Sequence, residues 1–263
     1  MRWQEQSWLK LSKLPKNMPV VIPVGSCEQH GKHLPLFVDT LQVHHIAEEA
    51  HKQLENEILL VPTLWLGSSH HHKDFPGTIS VLPELYSQMI QQIARCVLNA
   101  GFTNIVFLNG HGGNHVPIGQ ALSELVIVDD EADAANIVLA TWWVLAAKQL
   151  QADKIGMATR GISHACEYET STTLAIRPDL VDMSQIPEVA GHENLPPFHE
   201  PQNDIGVSVF HRFHRFSSTG HLGYPKHATA EKGKKIFEVV SQRLVEVLRE
   251  MAQATLPPKQ GPR

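Results

Sequence analysis

Histidine, aspartate and glutamate recur behind apolar runs in this chain, in a pattern suited to divalent-metal chemistry. The stretch PVGSCEQHGKHLPLFVDT (Pro23–Thr40) places Glu28, His30, His33 and Asp39 in one loop. SSHHHKDFPGT adds His70, His71, His72 and Asp74, NGHGGNH adds His111 and His115, and SHACEYETS adds His164, Glu167 and Glu169. Histidines number 17 against 22 lysines and arginines, so imidazole is over-supplied for a chain of this charge. Imidazole combined with carboxylate suits Zn, Mn or Fe better than Ca or Mg. A bridging carboxylate with terminal ligands on each side can hold two ions, and such a pair makes hydroxide available near neutral pH, which is the chemistry of hydrolysis. Thiolate also ligates zinc. Cys27 and Cys166, however, are sequence neighbours of carboxylates, and their side chains are expected to point elsewhere. In NGHGGN, Gly112 and Gly113 allow close backbone approach to a ligand. Their N–H groups, at the start of the following helix, would face developing negative charge on a substrate. A tight strand-to-helix turn explains the same glycines equally well.

These side chains need a scaffold that gathers them, and the apolar runs supply one. PVVIPVG, ILLVPTLWLG, NIVFLNG and ANIVLATWWVL read as buried strands, and GVSVFHRF as a fifth in a more irregular region. Between them, TLQVHHIAEEAHKQLENE, PELYSQMIQQIARCVLNAGF and VPIGQALSELVIV read as helices. The second of these has Pro83 in its first turn and Gly101 at its end, the usual asymmetry. ACEYETSTTLAIRP is a helix ended by Pro178, and TAEKGKKIFEVVSQRLVEVLREMAQA is a long helix near the C-terminus. Strands alternating with helices imply an α/β fold with a mostly parallel sheet covered on both faces. In such sheets, sites form outside the carboxyl ends of the strands. The polar clusters follow strand ends four times, so they converge on one edge. Residues 183–205 read as a long loop and 253–263 as a frayed tail, within a single domain spanning 1–263.

The bulk composition narrows the function. A net charge of −5 gives no electrostatic footprint for nucleic acid. No apolar stretch reaches the roughly 18 residues of a membrane span. Three cysteines without CxxC spacing suit a reducing compartment, and the N-terminal residues do not read as a signal peptide; a cytoplasmic location is expected. No GxGxxG or P-loop follows any strand, which argues against a nucleotide-binding module.

The segments PVGSCEQHGKHLPLFVDT, SSHHHKDFPGTIS, NGHGGN, SHACEYETS and GHLGYPKHATAEKG resemble, in content and order, the creatininase (creatinine amidohydrolase) family. The resemblance covers most of the chain. It implies a three-layer α/β/α sandwich, a dinuclear metal centre with a bridging hydroxide, hydrolysis of a C–N bond in a small amide, and a homohexamer. Carried over by position, it implies Glu28, Asp39 and His111 around one ion, and His30, Asp39 and a later carboxylate around the other. Creatininase proper has Tyr-Glu after the NGH histidine; Gly112 and Gly113 stand there in this chain. The resemblance therefore points to Glu169 as the last ligand, with Glu167 as runner-up. It also implies that His164 is the general acid that protonates the leaving nitrogen, and that His72 contacts substrate.

Other residues have plainer readings. His33 reads as a donor that orients a ligand, and His70 and His71 as rim residues. Trp142, or Trp143 beside it, is a candidate for stacking on a planar substrate, and core packing is the expectation for at least one of them. Asn109 and Asn114 read as turn stabilisers, His221 as part of a segment closing the site or meeting a neighbouring subunit, and HRFHRF as a surface strand. Three amide-hydrolysing activities fit: creatinine ring opening, deformylation of a formamide, and peptide cleavage. The missing Tyr-Glu pair argues against the first. The reading from a different class is a non-catalytic metal-binding subunit of the same fold.

Overall fold

A computed structural model of the protein describes residues 1–159, 161–191 and 209–254. Four strands, β1 (Val20–Val24), β2 (Leu59–Leu60), β3 (Asn104–Asn109) and β4 (Asn136–Thr141), form one parallel sheet in the order β2-β1-β3-β4. The longer helices are α2 (Val38–Leu54), α3 (Pro83–Asn99), α4 (His115–Val128), α8 (Glu167–Ile176) and α9 (Ala230–Gln253). Short helical pieces complete the order: α1 (Trp8–Ser12), α5 (Asp130–Asp133), α6 (Trp142–Leu145) and α7 (Ala152–Ile155).

Strand alternation divides the apolar side chains between two cores. Val21, Leu60, Val106, Leu108 and Ala140 pack with α2 and α9 through Ile46, Ala50, Val240 and Leu244. Val20, Ile22, Ile105 and Phe107 pack with α3 and α4 through Tyr86, Ile90, Ile118 and Leu125. The result is the expected α/β/α layering, with strands apolar on both faces.

α8 is unlike the other helices. All seven residues from Glu167 to Thr173 are buried, and most are polar. Thr172 and Thr173 return their hydroxyls to carbonyls of their own helix, Tyr168 at 3.0 Å and Glu169 at 2.8 Å. α9 lies so close that a Cβ on Gly233 would stand 2.0 Å from the Ser171 carbonyl oxygen. Any side chain there would force the two helices apart.

The sequence boundaries shift in four places. The second strand pairs as a ladder only at Leu59–Leu60, because Pro62 cannot donate to it; Leu64 continues as an isolated bridge to Val24. α2 begins at Val38 rather than Thr40, so Asp39 sits in the first helical turn, where a carboxylate is favoured. The fourth strand ends at Thr141, and Trp142–Leu145 turn into α6. The described part of GVSVFHRF, Val209–Phe213, forms no strand and runs into a 3-10 turn at Phe213–Arg215. Most of 183–205 and of the 253–263 tail lies outside the described residues. Among the described residues, no helix is long and apolar enough to cross a membrane.

Candidate metal centre

The loops at the carboxyl ends of β1, β2 and β3 are fastened to one another by side-chain amides and hydroxyls. Asn114 accepts from Ser68 N at 2.9 Å and donates to Gly25 O at 2.9 Å, which ties three strand ends together. Asn109 accepts from His111 N at 3.1 Å and donates to His111 O at 2.8 Å. These are the turn-stabilising roles expected of both asparagines. Gly25 matters for approach, since a Cβ there would meet Thr40 Oγ1 at 2.4 Å. That closeness lets Thr40 donate to Ser26 O and accept from Ser26 N, which docks the start of α2, with Asp39, onto the end of β1.

Glu28, His30, Asp39, His111 and Glu169 meet in the space these loops enclose, and all are buried. His30 Nε2 lies 3.2 Å from Asp39 Oδ1 and 3.9 Å from Glu169 Oε2. His111 Nδ1 lies 2.9 Å from Asp39 Oδ2 and 3.3 Å from Glu28 Oε1. Asp39 thus sits between the two imidazoles. Glu167, two residues from Glu169, points away: it accepts from Ala158 N, Thr159 N, Thr159 Oγ1 and Lys232 Nζ at 2.6–3.0 Å. Its carboxylate is fully used there, and Glu169 alone of the two lies against His30 and Asp39.

The donor set fits divalent metal. His30 donates from Nδ1 to the Glu28 carbonyl at 3.1 Å, which turns Nε2 toward the centre. His111 turns its Nε2 to Ser68 O at 3.2 Å and Ser69 Oγ at 3.1 Å, leaving the Nδ1 lone pair inward. Carbonyl partners of this kind fix tautomer and orientation in metal sites. Glu28 Oε2 and Asp39 Oδ2 are buried and find no hydrogen-bond partner among the described residues. Unpartnered buried carboxylate oxygens are costly unless a cation compensates them. Ligand-type atoms within 4.8 Å of one another occur in three overlapping sets: His30, Asp39 and Glu169; Glu28, His71 and His111; and Glu28, His30 and His164.

Electrostatics reflect this crowding. Burial alone would raise the Glu28 carboxyl, but His111, His72 and His164 outweigh it and hold it well below the usual range. Burial pushes Glu169 up to about 7, although His30 pulls against the shift; Asp39 adds to it. His30 is held at about 9: burial opposes protonation, and Asp39 and Glu169 overcome it. His164 and His72 are kept well below their ordinary value, by burial first.

Gln29 arranges these last two rings. Its Oε1 accepts from Gly31 N at 2.9 Å, so its amide nitrogen faces His72 Nδ1 at 2.8 Å. His164 donates from Nε2 to the Gln29 carbonyl at 2.7 Å, which turns Nδ1 toward Glu28 at 3.7 Å. Beyond the centre opens a cavity of about 290 Å³ lined by His71, His72, Gly112, Gly113, Trp143, Ile162, His164 and Phe213. Gly112 has open space where a Cβ would stand, whereas Gly113 is pressed against Ser68 O and His111.

Several sequence readings change here. Trp142, a substrate candidate, is 1% exposed and packs in the core beneath α2 and α9; Trp143 lines the cavity instead. Adjacent residues at a strand end point opposite ways, and the turn into α6 decides which one faces in. His71, read as a rim residue, joins Glu28 and His111. His70 is at the rim, bonded to Val81 O. His33 bonds Thr170 Oγ1 at 3.0 Å and holds α8 rather than an ion. His221 is buried, between Thr219 Oγ1 and Val189 O. Cys166 Sγ accepts from Ser163 N, outside the cluster. Two features carry no sequence signal. Ala165 adopts φ 50°, a left-handed conformation that is uncommon for alanine, and its N–H bonds Glu169. Phe213 covers His72 from a segment read as a surface strand.

The creatinine amidohydrolase (creatininase) family matches residues 4–248 of the chain. A mycofactocin precursor peptide peptidase of Mycobacterium tuberculosis is 31% identical over 235 residues, 86% of this chain and 83% of that protein. A creatinine amidohydrolase of Pseudomonas putida is 31% identical over 245 residues, 88% of each chain. A solved mutant creatininase of Zn-Zn type, 26% identical, superposes with a TM-score of 0.76 over 96% of this chain and 98% of its own.

Proposed function

This chain belongs to the creatininase family, and from that premise we propose that it is a metal-dependent amidohydrolase acting on a C–N bond of a small cyclic amide, formamide or related amide. The observation that carries the reading is the convergence of Glu28, His30, Asp39, His111 and Glu169, with two buried carboxylate oxygens that accept no hydrogen bond among the described residues and both imidazoles turned inward. On this reading Glu28, His30, Asp39, His111 and Glu169 would hold the divalent ions. Zn, Mn and Fe suit this donor set. Bound there, such ions supply Lewis acidity toward a carbonyl oxygen and hydroxide at neutral pH.

The remaining work falls to the chain itself. His164 keeps its Nε2 proton on the Gln29 carbonyl and presents Nδ1 to the cavity. In that tautomer the neutral ring would take at Nδ1 the proton released by the attacking water and deliver it to the leaving nitrogen, as general acid. His72 is held by Gln29 with Nε2 toward Glu28 and contacts the substrate. Trp143 and Phe213 supply apolar cavity walls, and the Gly112 and Gly113 backbone lets a carbonyl approach closely. The same reading includes a single domain and, by family resemblance, a homohexamer; three free cysteines accord with a cytoplasmic location.

Two experiments test it together. Metal analysis of the purified protein should return two equivalents per chain, and a screen of creatinine, hydantoins, formamides and peptides should find turnover. His164→Ala should lower kcat with metal content unchanged. Loss of metal in that variant would make His164 a ligand. Full metal occupancy without turnover on any of these classes would favour the non-catalytic reading.

A further inference from the structure

The repeat HRFHRF (His211–Phe216) is not absorbed by the metal centre, yet its third residue reaches the cavity. Phe213 is 7% exposed. Its ring stacks on His72 with centroids 4.4 Å apart at 26°, and meets His164 at 4.6 Å and 63°. Phe75 and Phe216 pack against it at 6.4 Å. By contrast Phe210, three residues earlier, is 89% exposed, so burial at 213 is not a general property of the segment.

The neighbours of Phe213 explain how it is held. Arg212 Nη1 bonds Asp74 Oδ1 at 2.7 Å, and His214 Nδ1 bonds Asp74 Oδ2 at 2.7 Å. One carboxylate therefore grips both residues that flank the ring. Asp74 lies two positions after His72, the residue on which the ring rests. The grip and the stacking surface thus belong to one short segment. With both flanks fixed, the ring cannot swing out without breaking the Arg212–Asp74 ion pair and the His214–Asp74 hydrogen bond.

We propose that Phe213, clamped by Asp74, is a specificity-determining residue that closes the cavity beside His72 and His164 and confines the site to small amides. This inference rests on the amidohydrolase reading and narrows its substrate class. The cavity of about 290 Å³ stands at the lower limit of ligand pockets, roughly 300–1,000 Å³. Removal of the ring or its clamp lets the cavity grow on the Phe213 side, whereas the NGHGG turn and the residues of the centre hold other walls in place.

The test uses the zinc-loaded protein and two hydroxamate probes, acetohydroxamate and 2-naphthohydroxamate, whose binding is read by calorimetry without turnover. Phe213→Ala and Asp74→Asn should each lower the naphthyl-to-acetyl Kd ratio by about tenfold or more, while Phe213→Tyr, which keeps the ring, should leave it within about twofold. Asp74 is at the surface, so Asp74→Asn keeps the test valid where Phe213→Ala fails to fold. An unchanged ratio in Asp74→Asn, with zinc bound, overturns the role of the clamp. An unchanged ratio in Phe213→Ala overturns the role of the ring. Absence of zinc from the loaded wild-type protein overturns the amidohydrolase reading itself, and is told apart by metal content alone.

Discussion

Replacing Glu169 by Gln should have opposite effects on stability with and without metal. In the metal-free protein, burial pushes the Glu169 carboxyl from 4.5 to about 7, against the pull of His30, and Asp39 adds to the rise. A carboxyl whose folded value lies above its unfolded value weakens the fold as pH rises through that interval. Below pH 4.5 it is protonated in both states and contributes nothing. Between 4.5 and about 7 the unfolded chain releases the proton and the folded chain keeps it, so folding is penalised by about 1.4 kcal/mol per pH unit. Above about 7 the penalty is complete, at roughly 3 kcal/mol. Glutamine carries no such penalty, and its amide oxygen can still accept from Ala165 N. Metal-free Glu169→Gln should therefore melt near wild type at about pH 4.5, and about 6–12 °C above it at about pH 8, using roughly 2–4 °C per kcal/mol for a chain of this size. Thermal unfolding followed by circular dichroism after chelation measures this. In the metal-loaded protein the order should reverse, because on the proposed reading Glu169 is a ligand. A melting difference that does not change with pH, or full metal content in the variant, would refute the reasoning.

Glu167→Ala is the complementary variant. It strands two backbone N–H groups and Lys232, and should cost roughly 3 kcal/mol while folded protein keeps its metal; melting and metal analysis check it. Trp142→Ala should destabilise by about 3–5 kcal/mol through a core cavity, whereas Trp143→Ala should change substrate affinity with little loss of stability; unfolding and KM measurements separate them. Cys96 alone should react with a thiol reagent near pH 8 in the native protein, since Cys27 and Cys166 are buried and burial pushes the Cys166 thiol up to about 11; counting labelled thiols before and after denaturation decides it.

Much of the fold was legible because its strands are apolar on both faces and its helices are punctuated by Pro83, Gly101 and Pro178. The gathering of ligand-type residues was legible for a related reason: each follows a strand, and parallel strands end on one edge. What failed is choice between neighbours. Glu167 and Glu169 occupy one helical turn, and their division of labour depends on Lys232, far along the chain. Trp142 and Trp143 exchange roles according to where β4 stops. His71 faces inward because residues 70–72 coil into a 3-10 turn that no apolar period announces. Phe213 was misread because a β-like composition in a loop looks the same as a strand until its partners, here Asp74 and His72, are known.

The close seating of Gly233 on Ser171 also bears on how the protein comes into being during synthesis. Glu28, His30, Asp39 and His111 belong to the first half of the chain and are set by strands and helices made early. Glu169 belongs to a helix too polar to hold its place alone, and that helix rests on α9, a segment translated after every one of the clustered residues. A nascent chain can therefore present an incomplete cluster, open on the side of α8, until residue 253 has emerged. On the proposed reading, metal acquisition becomes a late event, timed by the arrival of a helix that contributes no ligand of its own.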